Sequence, residues 1–322
     1  MDGLLASLIA KAFAFQPLFD LATRQARQKI KDRAITCGVD WDGVMAQRSC
    51  VDWESIQTTI ANPTLRATPP SYQCVPFHAY PDGHLDLRSA LEEDLAAVSV
   101  HATIFAAPGE VDPHGDVKLR SGASQATLQA CTKFGFDARS VQRVVDVGCG
   151  TGLSTLEATR CFPSATEVMG LDVSAPMVAV ATHVREERGV PPQVAFMHAD
   201  GRDTGLSAGA YDVVLMTLVA HETPEIELAN LAKEAHRLLR PGGVYAIMDQ
   251  DPGSPAVQRI MGNVMAYAAF RSTEPYLDNY YATDVEQVLR GAGFERTCME
   301  PCSSDRHRIV AGLKGGGSAR TS

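Results

Sequence analysis

The stretch VVDVGCGTGLSTLEA, Val144 to Ala158, constrains this chain more than any other. An apolar run carries Asp146, then Gly148, Gly150 and Gly152 follow at alternate positions before a helix-forming segment takes over. A buried strand turning sharply into a helix needs glycine where the backbone takes unusual dihedrals or must lie against a ligand with no Cβ in the way. The helix that follows aims its free N–H groups and the positive end of its dipole at whatever rests on the turn. Spacing then narrows the ligand. Dinucleotide folds use G-x-G-x-x-G, with the last glycine packing helix on strand below a pyrophosphate. Here the run is D-V-G-C-G-T-G. A carboxylate before the first glycine repels a pyrophosphate but accepts hydrogen bonds from an ammonium group, which suggests a nucleoside carrying an amino acid.

Two acids downstream extend the pattern. EVMGLDVS (167–174) reads as a second strand ending in Asp172, 26 positions after Asp146. That is one helix plus one strand, close to the roughly 20 residues expected before a ribose-binding acid in a βαβ unit. A third strand, QVAFMHADG (193–201), ends in Asp200. YDVVLMTLVAHETP (211–224) gives the fourth, and LLRPGGVYAIMDQDP (238–252) gives a helix end, a turn and the fifth. A helix over 254–270 and another stopped by Gly291 and Gly293 lead to ERTCMEPC and RHRIVAGLKG, a terminal antiparallel hairpin. Strands alternating with helices indicate an α/β fold: a Rossmann-like, seven-stranded doubly wound sheet. A Rossmann-like domain for another nucleotide is the alternative.

DVGCGTG resembles the first motif of class I S-adenosylmethionine-dependent methyltransferases. HADGRDTGL, LVAHETP, RLLRPGG and TEPYLDNYY together look like the type 11, ubiquinone/menaquinone-type (UbiE-like) branch. The match is closest to a plant, algal and cyanobacterial subgroup that carries an N-terminal extension with a PFHAY-like element, here Pro76 to Tyr80. The resemblance covers roughly residues 120 to 313 and implies S-adenosylmethionine as cofactor, with S-adenosylhomocysteine as product. It implies a cofactor site built from Asp146, Gly148, Cys149, Gly150, Gly152, Asp172, Val173, Asp200, Gly201, Thr217 and Leu218. In it Asp172 holds the ribose hydroxyls and Asp200 lies beside the adenine amine.

The first 120 residues show no strand–helix alternation and read as a helical cap, followed by a methyltransferase domain over 121–313 and a disordered tail over 314–322. Leu4, Leu5, Leu8, Ile9 and Ala12 follow helical spacing, as in a docked amphipathic helix. A second helix carries Arg24, Arg27, Lys31 and Arg33 on a face that reads as solvated, with a membrane surface or acidic partner as the alternative. Both tryptophans fall in short helical pieces, residues 62–84 read as extended and irregular, and residues 86–105 as a helix with Leu91, Leu95 and Val98 on one stripe. The chain has 29 basic and 38 acidic residues, a formal charge of −9, which argues against a nucleic-acid surface. Its eight cysteines contain no C-x-x-C pair and read as reduced thiols, hence an intracellular protein of cytoplasm or plastid, though no Ser/Arg-rich transit peptide is visible. No apolar run approaches the roughly 20 residues of a membrane span.

Absences bear on the methyl acceptor. The [DN]-P-P-[FYW] element of base-amine methyltransferases is replaced by LVAHETP, and the paired glutamates of arginine methyltransferases are missing. No run of clustered carboxylates at strand ends suggests a catechol-type metal, so no metal is expected and the acceptor is a small molecule. Methyl transfer is an in-line displacement at a sulfonium carbon, in which the protein mainly positions and desolvates the reactants. Oxygen and nitrogen nucleophiles also profit from a general base, whereas a thioether sulfur has no proton to lose. His221, Tyr281 and His101 are the candidate catalytic groups; Glu222, Tyr276, Tyr280, Arg120, Arg271 and Arg306 are candidates for acceptor binding, the arginines as carboxylate clamps. Three functions stay open. The first is S-methylation of a small thioether acid such as 4-methylthio-2-hydroxybutyrate, on a route to dimethylsulfoniopropionate, as algal relatives suggest. The second is C-methylation of a prenylated quinol, and the third a nucleoside-binding protein that has lost its chemistry.

Overall fold

The computed structural model describes residues 16–78, 80–263, 267, 270–271 and 273–316. The amphipathic helix expected over residues 4–15 and the tail beyond 316 lie outside the described residues. The N-terminal part is helical: α1 (Gln16–Thr36), α2 (Trp41–Arg48), α3 (Trp53–Ile60), α4 (Pro63–Ala67) and α5 (Leu87–His101). Aspartates start three of these helices. Asp40, Asp52 and Asp86 accept from backbone N–H groups of the first turns of α2, α3 and α5, which would otherwise lack partners. Of the segment 62–84 expected to be extended and irregular, Asn62 caps the short helix α4 and only the part after it is irregular, with 3₁₀ turns at Ser71–Gln73 and Gly83–Leu85.

Next comes α6 (Gly115–Phe134), one unbroken helix that passes through position 120. It ends on Gly135 at φ +73°, a left-handed stop that glycine takes without strain. The sheet follows: β1 (Arg143–Val147), α7 (Leu153–Cys161), β2 (Glu167–Asp172), α8 (Ala175–His183), β3 (Val194–His198), β4 (Tyr211–Thr217), α9 (Glu225–Leu238) and β5 (Leu239–Gln250). The last elements are α10 (Pro255–Gly262), α11 (Leu277–Ala282), α12 (Val285–Gly291), β6 (Phe294–Pro301) and β7 (His307–Lys314). Of the helix expected over 254–270, only α10 and a few later residues are described. Asp200 lies two residues beyond β3 rather than at its end. Lys314 closes β7 instead of opening a tail, and its Nζ donates to the carbonyls of His236 and Leu239 at 2.7 Å.

The seven strands run in the order β3-β2-β1-β4-β5-β7-β6, parallel except for β7, which pairs antiparallel with both β5 and β6. This is a Rossmann-like, doubly wound sheet, with the hairpin at its edge as expected. Strand order reverses between β1 and β4, so a crevice opens beyond their carboxyl ends, where such sheets bind ligands. Three buried clusters clamp the sheet. One packs β1, β4 and β5 against α9 and α12, the second packs α6 on β5 and β7, and the third lies under α7 around Phe162.

The cap docks over the carboxyl ends of the strands. Trp53 packs with Met177, Val180 and Val184 of the α8 region, and Trp41 with Ala34 and Leu95. A half-buried carboxylate locks this joint: Asp94 of α5 takes two bonds from Arg48 of α2, at 2.8 and 2.7 Å, and one from Arg188 at 2.5 Å. The basic face of α1 is not simply solvated. Arg27 pairs with buried Glu92, Lys31 lies 2.5 Å from Asp42, and Arg33 donates to the carbonyl of Ser99. Charge complementarity to α5 and α2 therefore explains its composition, in place of the solvated face or external partner read from the sequence. Among the described residues, no helix is long and apolar enough to cross a membrane.

Candidate functional site

At the end of β1 the chain turns through Gly148, Gly150 and Gly152, at φ +71°, +53° and +91°. Each glycine also meets a close neighbour. A Cβ on Gly148 would come within 2.6 Å of the Val219 side chain, and one on Gly152 within 2.7 Å of Phe196 on β3. On Gly150 it would come within 2.6 Å of Glu93 Oε1, a side chain reaching down from the cap. Glu93 also accepts a 2.8 Å bond from the N–H of Thr151.

The turn borders a cavity of about 740 Å³ that runs continuously from the sheet into the cap. Gly148, Gly150, Asp172, Val173, Gly201, Thr217 and Leu218 of the expected cofactor set line it. Asp146, Cys149, Gly152 and Asp200 do not. Asp146 is fully buried beneath the turn, where its Oδ2 accepts from Ser154 Oγ at 2.7 Å and Thr155 Oγ1 at 2.6 Å. It fastens the first turn of α7 to β1, a different role from the ammonium acceptor expected of it. Cys149 is buried, with its thiol pushed well up by burial. The Asp200 carboxylate is taken by Arg202, at 2.6 Å, which also reaches Glu227 and lies over the ring of Tyr72. The expected partner of an adenine amine is thus already engaged.

Asp172 ends β2 with both oxygens occupied from one side, by Gly150 N at 2.9 Å and Ser174 N at 2.8 Å. Burial lifts its pKa to about 6, against the pull of these two N–H groups and of His84. Leu218, at φ +59°, is a non-glycine residue held in the left-handed region where β4 meets the cavity.

The other half of the cavity is rich in histidine. His221, on the 3₁₀ turn after β4, is buried and held by Asp249 at the end of β5, with Nδ1 2.8 Å from Oδ1 and its backbone N–H donating to Oδ2. Burial pushes the imidazole down, but Asp249, Glu274 and Glu222 outweigh it and raise the pKa to about 10. Glu222 lies beside His84, 3.1 Å from its Nε2, and the pair holds the carboxyl well below its usual range despite burial. Burial likewise lowers His84, and Glu222, Asp172 and Glu274 raise it on balance to about 9. From the cap loop, His78 reaches Glu274 Oε1 at 2.5 Å. His101 also lines the cavity and pairs with Asp116 at 2.7 Å, and Asp116 in turn holds Arg120 at 3.0 Å.

The remaining candidates separate cleanly. Among the three arginines only Arg306 lines the cavity; its Nε is buried without a hydrogen bond, 3.8 Å from Asp305 Oδ1. Arg120 is committed to Asp116, and Arg271 pairs with Asp278 at 2.7 Å on the surface. Tyr276, Tyr280 and Tyr281 are outside the cavity lining. Tyr280 and Tyr281 donate to the carbonyl and side-chain oxygens of Gln250, and Tyr276 to the carbonyl of Tyr72. They tie α11 to the sheet and cap. Four cavity residues had no signal of their own in the sequence: Glu93, His78, His84 and Glu274. His78 and Glu274 lie inside PFHAY and TEPYLDNYY, segments singled out for resemblance alone.

Residues 144–243 match a family model described as a methyltransferase domain. Relatives include a nocamycin O-methyltransferase of Saccharothrix syringae, 35% identical over 173 residues, which cover 49% of this chain and 61% of that one. A demethylmenaquinone methyltransferase of Thermus thermophilus is 32% identical over 114 residues, 35% of this chain and 50% of that one. A trans-aconitate 2-methyltransferase of Azoarcus is 34% identical over 172 residues, 47% of this chain and 63% of that one. The matched region thus spans between half and two thirds of each of these relatives.

Proposed function

We propose that this protein is a class I S-adenosylmethionine-dependent methyltransferase acting on a small molecule. One observation carries the reading: the glycine turn and Asp172 share a single cavity with the polar cap groups, at the crevice where the strand order reverses. The match of residues 144–243 to a methyltransferase domain supports the same cofactor. In this reading Asp172 accepts the ribose hydroxyls and Glu93, against the turn, faces the ammonium of the methionine moiety. The cap excludes water and sets the acceptor against the sulfonium.

For the acceptor we infer a small carboxylic acid, with a thioether acid such as 4-methylthio-2-hydroxybutyrate first. Arg306 supports this, because its guanidinium lines the cavity and its Nε makes no hydrogen bond, so an acceptor carboxylate can compete with Asp305, 3.8 Å away. A relative named for trans-aconitate points to acids as well. The second reading, a prenylated quinol, draws on the relative named for demethylmenaquinone and on Val100, Ile104, Val257, Ile260 and Phe270 along the lining. Incubating the protein with labelled S-adenosylmethionine and a panel of thioether acids, carboxylic acids and quinols tests both. Transfer to the thioether acid is expected, transfer to quinols alone would replace it, and no transfer to any small molecule would remove the enzymatic reading.

A further inference from the structure

One cluster in the cavity is left unexplained by methyl transfer. His78 comes from the cap loop, His221 and Glu222 from the turn after β4, and Glu274 from the segment before α11. Each offers one ligand atom, and the four atoms lie within 4.8 Å of one another. His78 Nε2 is 2.5 Å from Glu274 Oε1 and 3.9 Å from Glu222 Oε1. His221 Nε2 is 3.7 Å from the same Glu222 oxygen and 3.8 Å from Glu274 Oε2. Donors that bind one ion at about 2.1 Å stand about 3–4 Å apart, so most of this set already has the spacing of a coordination shell.

Two further observations point to a ligand. Glu274 is only 4% exposed, yet its Oε2 has no hydrogen-bond partner, an expensive state for a buried carboxylate oxygen. The ring nitrogen of His221 facing away from the cluster is held by buried Asp249, the arrangement by which a carboxylate fixes the tautomer of a metal-binding histidine. His84 engages the other oxygen of Glu222 and leaves Oε1 turned to the centre.

We propose that His78, His221, Glu222 and Glu274 bind one first-row divalent cation, with Asp249 and His84 as positioning residues. Two carboxylates balance the ion's charge, and nitrogen and oxygen donors without sulfur suit zinc, manganese or iron(II). Four protein donors leave further coordination positions open to oxygen atoms of a molecule bound in the cavity. The metal-free site expected from the sequence was argued from contiguous carboxylate patterns, whereas this cluster is assembled from three distant segments.

The test uses the full chain, stripped with a chelator and titrated with zinc or manganese alone by calorimetry, without S-adenosylmethionine. One equivalent is expected to bind, and Glu274→Gln and His78→Gln should each weaken it tenfold or more. Asp249→Asn should weaken it roughly 10- to 100-fold. X-ray absorption of the zinc-loaded wild type reads the donors without any substitution and should show imidazole and oxygen, with no sulfur. The proposal is overturned by a wild type that binds no stoichiometric metal, by sulfur donors, or by natively folded variants that bind as tightly as wild type. Cofactor affinity is measured separately on metal-free protein, so a failure here leaves the methyltransferase reading intact and the reverse also holds.

Discussion

Replacing Asp172 by asparagine separates its two roles. Both carboxylate oxygens already accept one backbone N–H, from Gly150 and Ser174, which leaves their outward lone pairs for the ribose hydroxyls. Burial lifts its pKa from the usual 3.8 to about 6. Keeping it charged at neutral pH therefore costs the ligand-free fold about 3 kcal/mol. The sign follows from a folded pKa above the unfolded one: the protonated form stabilises fully below pH 3.8, and that contribution disappears as pH rises through about 6. Ligand hydroxyls act oppositely, because they need the carboxylate. Removing two charge-assisted bonds should weaken S-adenosylmethionine by about 1.5–3 kcal/mol, roughly 10- to 150-fold. Calorimetry across pH 5–8 should show wild-type affinity falling as pH drops below about 6, while Asp172→Asn binds weakly with no such limb. Thermal melts of ligand-free protein should show wild type losing stability between pH 4 and 6 relative to the variant. Equal affinities of the two proteins at pH 8, or parallel pH profiles, would refute the assignment of Asp172.

Gly150→Val should abolish cofactor binding and also lower the thermal midpoint, since position 150 sits at φ +53°, where a β-branched residue is strained, and the added atoms meet the carboxylate end of Glu93. Asp94→Ala removes the carboxylate shared by Arg48 and Arg188 at the joint between cap and sheet, leaving them the carbonyls of Leu91 and Thr151, and should cost about 3 kcal/mol, read by urea denaturation. Arg306→Gln should raise KM for an acidic acceptor about tenfold or more with little change in kcat, so an unchanged KM would exclude the clamp. Deleting residues before position 120 cuts α6 and removes Leu119 from the core against β5 and β7, so that truncation is expected to yield an inactive domain of reduced thermal stability.

What the sequence revealed and what it concealed follow from the range of the interactions. The glycine turn, the alternation of strands and helices and Asp172 rest on local rules: dihedral freedom, hydrophobic periodicity, and an acid one βα unit downstream. Those rules marked Gly148, Gly150 and Asp172, which the fold brings to one crevice, while Thr217 came from the family resemblance and His221 from its place shortly after the fourth strand. The tyrosines of α11 misled for the same reason. Polar tips in a lid-like segment suggest ligands, but Tyr280 and Tyr281 bond back to Gln250, a pairing that depends on how α11 packs over β5. Arg120 and Asp200 likewise carried the right charge but had partners four and two residues away, respectively. A nearby counter-ion in sequence is a reason to discount a candidate clamp; Arg306 has one too, Asp305 at 3.8 Å from its Nε, and it is kept because it lines the cavity and that contact is too long for a hydrogen bond.

The division of labour between sheet and cap explains why the cofactor is easier to infer than the acceptor. Apart from Glu93, the groups proposed for the cofactor come from the ends of β1, β2 and β4 or the turns after these strands and β3, so one repeated backbone plan sets their positions. The groups proposed for the acceptor come from the loop around His78, the helix of His101, and the segment of Glu274, which converge only through tertiary packing. His78 is held at φ +47° there, with its N–H donating to the carbonyl of Thr273, and Leu218 at the opposite wall is at φ +59°. Such conformations persist where surrounding contacts over-determine them. Both line the cavity where cap and sheet meet, so the backbone strain of these two residues is concentrated at that boundary.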